Sequence, residues 1–258
     1  MQKYGQHFLI NENVINQIID AALLLKSENL MEIGPGKGAL TARLIDRGCR
    51  NFTVVEIDPE MEKYLRKNLP ESAGVKILRQ NFLQADLETL APRPTLFVSN
   101  LPYIDAADIL DKVLSCPHFQ SAVFMFQKEQ AQRIRARAGE QGYGPLSVFS
   151  QLRAQISPIC KAGRGCFNPP PKVESMVLAF MRLNNGPVPS EKWTSFNKLV
   201  TAAFLHKRKT LFNSWSLAGY DKQKITTVLA DCKVKPTARP EEISPGKYVE
   251  LWQKLCCL

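Results

Sequence analysis

Three short segments of this chain carry residue types that could hold and activate a small molecule. The first is Glu32-Ile33-Gly34-Pro35-Gly36-Lys37-Gly38. Glycines placed where an apolar strand hands over to a helix remove side chains, so a ligand can lie directly against the backbone. Taken as G-x-G-x-x-A over Gly34, Gly36 and Ala39, the same residues also fit a nicotinamide dinucleotide site, and the pattern alone does not choose between the two. The second segment is Val55-Glu56-Ile57-Asp58. A carboxylate at the end of the next strand, about 20 residues beyond the glycines, accepts hydrogen bonds from ribose hydroxyls. Gly34, Gly36 and Glu56 together call for an adenosine-containing cofactor without saying which one.

The third segment, Asn100-Leu101-Pro102-Tyr103, discriminates. It follows a strand of the same sheet, and the carboxyl ends of neighbouring parallel strands form the ligand crevice. Methylation of an exocyclic aromatic amine needs what this tetrapeptide offers. The lone pair of adenine N6 is delocalised into the ring. Acceptance of both N6 hydrogens, by the Asn100 side-chain oxygen and the Pro102 carbonyl, pulls the nitrogen towards tetrahedral geometry and frees that lone pair. Tyr103 supplies a face on which an extruded base can stack. Rate would then come from positioning and preorganised polar groups rather than from a base of unusual pKa.

These segments need a parallel sheet to bring them together. Apolar residues at helical spacing, Val14, Ile15, Ile18, Ile19, Ala22 and Leu23, predict a helix over 13–25, capped by Asn11 or Asn13. Strands are predicted at Leu30–Ile33, Phe52–Ile57, Val75–Leu78, Thr95–Ser99 and Ala122–Phe126, with a helix over 38–47 and Pro59 opening another. Such alternation gives an α/β, doubly wound, mostly parallel Rossmann-like sheet. Residues 138–144 are polar and glycine-rich and predict a mobile loop. Ile156–Ile159 and Ser175–Arg182 are further strand candidates. The stretch Asn184-Asn185-Gly186-Pro187-Val188-Pro189 predicts a linker, followed by helices only. The expected division is residues 1–185 as the catalytic, cofactor-binding domain and 186–258 as a small all-helical domain.

Composition narrows the partners. The formal net charge is +10, which favours polyanions. Basic residues gather at Arg133, Arg135 and Arg137 and again at Lys207-Arg208-Lys209. The seven cysteines, at 49, 116, 160, 166, 232, 256 and 257, form no C-x-x-C pair, and neither His118 nor His206 has a second ligand pair nearby. Free thiols are expected, with neither metal site nor disulfide framework. No apolar run approaches the roughly 20 residues of a membrane span, and the first residues lack the apolar core of a signal peptide. A soluble, cytoplasmic protein is expected.

With those motifs goes a resemblance covering nearly the whole chain. Gly5-Gln6-His7-Phe8-Leu9, the glycine segment, Val55-Glu56-Ile57-Asp58, Asn100-Leu101-Pro102-Tyr103, Gln127-Lys128-Glu129, Tyr143-Gly144-Pro145-Leu146-Ser147-Val148, Phe167-Asn168-Pro169-Pro170-Pro171-Lys172-Val173 and Arg208-Lys209-Thr210-Leu211 occur in order. The chain resembles the ribosomal RNA adenine N6,N6-dimethyltransferases, relatives of the antibiotic-resistance methylases and of mitochondrial transcription factor B. The resemblance implies S-adenosylmethionine as cofactor and a helical second domain that docks RNA. Its implied substrate is a pair of adjacent adenosines near the 3′ end of small-subunit ribosomal RNA, dimethylated by a monomer within a pre-ribosomal particle. It further implies that His7 and Leu9 close over the cofactor, that Asn81 holds the cofactor's adenine, and that Phe167 is the second aromatic contact of the target base. The alternatives are a resistance-type methylase of large-subunit RNA and a non-catalytic RNA-binding assembly or transcription factor. Segments 167–173 and 208–210 favour the small subunit. Two departures stand out: that family usually has aspartate where this chain has Asn81, and its basic N-terminal arm is represented only by Lys3.

Overall fold

The computed structural model describes residues 7–184, 186–206 and 208–256. Lys3, Gly5, Gln6, Lys207 and Cys257 lie outside the described residues. The chain forms two compact units, Met1–Ala131 with Gln155–Arg182, and Gln132–Ala154 with Leu183–Leu258. The second unit therefore takes in a segment that the sequence groups with the first.

The elements run β1 (Phe8–Leu9), α1 (Glu12–Leu24), β2 (Asn29–Ile33), α2 (Ala39–Asp46), β3 (Thr53–Glu56), α3 (Pro59–Asn68), β4 (Lys76–Arg79), α4 (Leu87–Leu90), β5 (Thr95–Asn100), α5 (Ala106–Ser115) and β6 (Phe119–Gln127). They continue with α6 (Lys128–Arg135), α7 (Pro145–Arg153), β7 (Ala154–Ala162), β8 (Phe167–Asn168), β9 (Ser175–Arg182), α8 (Trp193–Phe204), α9 (Leu211–Leu217), α10 (Lys222–Asp231) and α11 (Pro245–Cys256). Local chemistry explains several boundaries. Asn11 caps α1, its side chain accepting the Val14 N–H at 3.0 Å. Pro59 opens α3, where its missing N–H costs nothing.

Seven strands form one sheet in the order β4-β3-β2-β5-β6-β9-β7. The pairs β4·β3, β3·β2, β2·β5 and β5·β6 are parallel, and β9 runs antiparallel to β6. From β2 the chain winds outward to β3 and β4, then returns to β5 and β6 on the other side. Right-handed crossovers therefore put the connecting helices of the two halves on opposite faces. The reversal places a topological switch point between β2 and β5, where ligands of such sheets bind. Strand β5 is buried on both faces, with Leu96, Phe97 and Val98 at most 2% exposed. Each such side chain contributes roughly 1.5–3 kcal/mol through burial.

Strand β6 begins three residues earlier than the apolar run predicts. The polar pair Gln120-Ser121 hides its start, although Ser121 is buried beside Leu96. β7 is also longer than its apolar core suggests. It lies at the sheet edge, where Pro158 is tolerated.

The second unit has its own core around Phe196, Trp215, Tyr248 and Trp252. The polar tips of its aromatics are satisfied: Trp215 Nε1 donates to the Leu199 carbonyl at 3.0 Å and the Tyr248 hydroxyl to the Pro240 carbonyl at 2.9 Å. Among the described residues no strand follows β9. The loop at 138–144, expected to be mobile, is anchored at two points. Gly139 donates its N–H to the Glu241 carbonyl at 2.7 Å, and the buried Tyr143 donates its hydroxyl to the Ile243 carbonyl at 2.7 Å. No helix among the described residues is long and apolar enough to cross a membrane.

Candidate functional site

The site residues are built into the carboxyl ends of β2, β3, β4 and β5. After β2 the chain turns through Gly34 and Gly36, both left-handed with φ of +62° and +56°. A Cβ on Gly36 would lie 3.0 Å from the Phe8 ring, so a side chain there would press on Phe8 as well as strain the left-handed backbone. Gly34 donates its N–H to the Val55 carbonyl at 2.9 Å, tying the turn to β3.

Glu56 ends β3 and is 2% exposed. Its two oxygens accept backbone N–H groups, Oε2 from Gly36 and Oε1 from Asp58, both at 2.9 Å. The carboxylate thus sets the glycine turn. Burial pushes its pKa up, against the pull of those hydrogen bonds. Asn81 follows β4 and caps the short 3₁₀ turn Phe82–Gln84, its Oδ1 accepting the Leu83 N–H at 2.9 Å. The structure thus gives this amide a capping role in the loop after β4.

Asn100 is the last residue of β5, and its Nδ2 donates to the His7 carbonyl at 3.1 Å. That bond uses the NH₂ side of the amide and leaves Oδ1 as its acceptor. Leu101 is buried at 2%. The Pro102 carbonyl, expected to accept an N6 hydrogen, already accepts the Asp105 N–H at 3.2 Å. The Leu101 carbonyl accepts no hydrogen bond from the described residues. Tyr103 is half-buried, and its hydroxyl meets Ser175 Oγ at 2.8 Å. Burial raises its pKa, so the phenol stays neutral.

The segment carrying His7 and Leu9 is pinned on several sides. β1 pairs antiparallel with β8, Phe8 opposite Asn168 and Leu9 opposite Phe167. His7 Nδ1 hydrogen-bonds with the Pro169 carbonyl at 2.9 Å, and its ring centroid lies 5.8 Å from that of Tyr103. Lys37 Nζ sits 4.8 Å from the centre of the Phe8 ring, joining the same segment to the glycine turn. Phe167 is 3% exposed and packed with Leu9, Ala162 and Val177. In this arrangement it backs β1 rather than presenting an open face.

Three contributors have no role assigned from the sequence, although Glu32 and Phe8 lie within its motifs. Glu32 is fully buried two residues before Gly34 and accepts the Thr41 hydroxyl at 2.6 Å. Burial is the main cause that raises its carboxyl pKa to about 8. Its signal is a lone carboxylate inside the apolar run of β2. Ser175 anchors Tyr103, and Phe8 covers Gly36, neither with a local signal.

The donor set fits an adenosine-containing cofactor: a side-chain-free turn, a carboxylate on the next strand and an amide beyond it. Among the described residues no cluster of three potential ligands could hold a metal ion.

Comparison with known proteins agrees with this geometry. Residues 1–255 match the family described as ribosomal RNA adenine dimethylase. The ribosomal RNA small subunit methyltransferase A of Bdellovibrio bacteriovorus is 37% identical over 257 residues, covering 96% of this chain and 90% of that protein. Its namesake in Malacoplasma penetrans is 34% identical over 261 residues, covering 99% and 90%. The solved structure of a dimethyladenosine transferase from Plasmodium falciparum shares the fold, with a TM-score of 0.80, 24% identity and coverage of 95% and 96%. That of the 23S rRNA methyltransferase ErmE has a TM-score of 0.73 at 27% identity, covering 96% and 99%. With the adenosine-cofactor geometry in place and a match running almost from end to end, the chain belongs to the ribosomal RNA adenine dimethylase family.

Proposed function

We propose that this chain uses S-adenosylmethionine to dimethylate N6 of two adjacent adenosines near the 3′ end of small-subunit ribosomal RNA, as a monomer acting in the cytoplasm on a pre-ribosomal particle. The observation that carries the chemistry is the Asn100 amide, whose Nδ2 donates to the His7 carbonyl and so leaves Oδ1 as an acceptor. The relatives named for the small subunit, at 34% and 37% identity over nearly the full chain, support that choice of RNA.

In this reading Gly34 and Gly36 let the cofactor lie against the backbone, Glu56 accepts from its ribose, and Asn81 borders its adenine. His7 and Leu9 cover it from β1. Bound there, S-adenosylmethionine supplies an electrophilic methyl group. Asn100 Oδ1 accepts one N6 hydrogen of the target base. The second acceptor is the Pro102 carbonyl, which has a second lone pair beside the one taken by the Asp105 N–H, or the adjoining Leu101 carbonyl. Tyr103 stacks on the base with its hydroxyl held by Ser175, and Phe167 supports the covering segment from behind. The proton leaves to solvent once N6 has become cationic. The second unit docks RNA through exposed cations that include Arg133, Arg135, Arg137, Arg208 and Lys209.

The test is to incubate the protein with labelled cofactor and either small or large subunits from unmodified cells, then map the methylated nucleotides. Label confined to two neighbouring adenosines of the small subunit is expected. Label in the large subunit would instead identify a resistance-type activity.

A further inference from the structure

We infer that Ile104 is a wedge that stacks on a nucleobase beside the target adenosine when that adenosine is extruded onto Tyr103. The inference rests on the base-stacking role given to Tyr103 above.

Ile104 is 87% exposed, although Leu101 and Ala106 on either side of its turn are 2% and 0% exposed. The turn is closed by the Asp105 N–H donating to the Pro102 carbonyl, so Tyr103 and Ile104 are its two central residues. It sends the two side chains different ways. Tyr103 points inward, held through its hydroxyl by Ser175, while Ile104 stands in water. Exposed turn tips favour Gly, Asn, Asp or Pro, each for a backbone reason that a β-branched aliphatic residue cannot supply. A single exposed apolar side chain is ordinary in itself. The position of this one is not, since it adjoins Tyr103 at the carboxyl end of β5.

The segment leading to Ser175, which holds Tyr103, has similar character. Val173, 43% exposed, precedes Ser175 by two residues, and the exposed Lys172 precedes Val173. Apolar tips with a cation beside them suit base faces and phosphates together. Taking one base out of a stack leaves the faces of its neighbours uncovered, and apolar side chains inserted at such steps cover them. An isoleucine has no polar atom with which to bind phosphate, so the base face is the surface it can cover.

The experiment is a cycle between Ile104 and the RNA. Small subunits are reassembled with RNA carrying a ligated synthetic 3′ segment. The segment is either intact or abasic at the nucleotide immediately 5′ or 3′ of the target pair. On intact RNA, Ile104→Ala is expected to lower kcat/KM by about tenfold, the scale of an aliphatic side chain losing its buried surface. On one of the two abasic RNAs the same substitution is expected to cost less than about twofold, because the partner is already gone. Ile104→Asn, which suits a turn tip, should give the same pattern. Cofactor affinity and thermal midpoint should be unchanged for both variants, since the side chain is in water. An equal loss on all three RNAs, or no loss on intact RNA, would overturn the wedge. Tyr103→Ala separates this failure from failure of the base-stacking role: it should lose activity on every RNA, and full activity would overturn that role and the wedge with it.

Discussion

Asn100 Nδ2 donates to the His7 carbonyl at 3.1 Å, across 93 residues of chain. One bond therefore both orients the amide and holds β1 beside β5. Asn100→Ala is expected to cut turnover by roughly two orders of magnitude, the scale for one preorganised polar contact. Cofactor affinity, measured by calorimetry, should fall only about two- to three-fold, the share due to a loosened β1 at roughly 0.5 kcal/mol for a weak neutral hydrogen bond. Turnover within threefold of the parent would remove Asn100 from the chemistry.

At Asn81 the cap and the proposed cofactor contact draw on the same amide. Oδ1 holds the Leu83 N–H, so the amide turns its NH₂ to the other side. An aspartate keeps the cap with one oxygen and offers a charged acceptor with the second. Asn81→Asp is expected to tighten S-adenosylmethionine binding about five-fold, or roughly 1 kcal/mol. Asn81→Ser retains a capping hydroxyl and loses the outward arm. If serine and asparagine bind the cofactor equally in calorimetry, Asn81 is a cap alone.

Much of this site is legible in the sequence because its signals are local. Glycines after an apolar strand, a carboxylate ending the next strand, the Asn11 cap and the helix-opening Pro59 each depend on residues a few positions apart. The β1–β8 pair is not legible, since two residues at 8–9 meet two at 167–168 and neither run has a strand-length pattern. The makeup of the second unit is hidden for another reason. Val148 and Leu152 of α7 would look the same packed on the sheet, yet they join Phe196 and Trp215. Apolar periodicity shows that a helix face is buried, not which core receives it.

Glu32 gives the structure a specific pH dependence. Burial, with a smaller contribution from the nearby Glu56, raises its pKa from 4.5 to about 8 in the folded chain. Between those values the folded chain keeps a proton that the unfolded chain releases. Stability from this group is therefore complete below about pH 4.5 and declines as pH rises towards 8. Glu32→Gln keeps the shape and removes the titration. Chemical unfolding across that window should then show a slope flatter by up to about 1.4 kcal/mol per pH unit. Identical slopes for parent and variant would mean that Glu32 is ionised in the fold.

Arg208 and Lys209 are exposed just before α9. Neutralising both, together with Lys207, should weaken RNA binding and flatten its salt dependence by about 2–3 units of slope, given roughly 0.7–0.9 per phosphate contact. Cofactor affinity should not move. An unchanged slope would show that these cations face solvent and not RNA.

The chemistry assigned to Asn100 and Tyr103 is tested most directly by nucleoside mass spectrometry of unmodified small subunits after treatment with cofactor and protein. Two N6,N6-dimethyladenosines per subunit are expected with the parent chain, formed roughly a hundredfold more slowly with Asn100→Ala. Methyl groups on any other nucleoside, or dimethyladenosine formed equally fast by the parent and the variant, would contradict the mechanism.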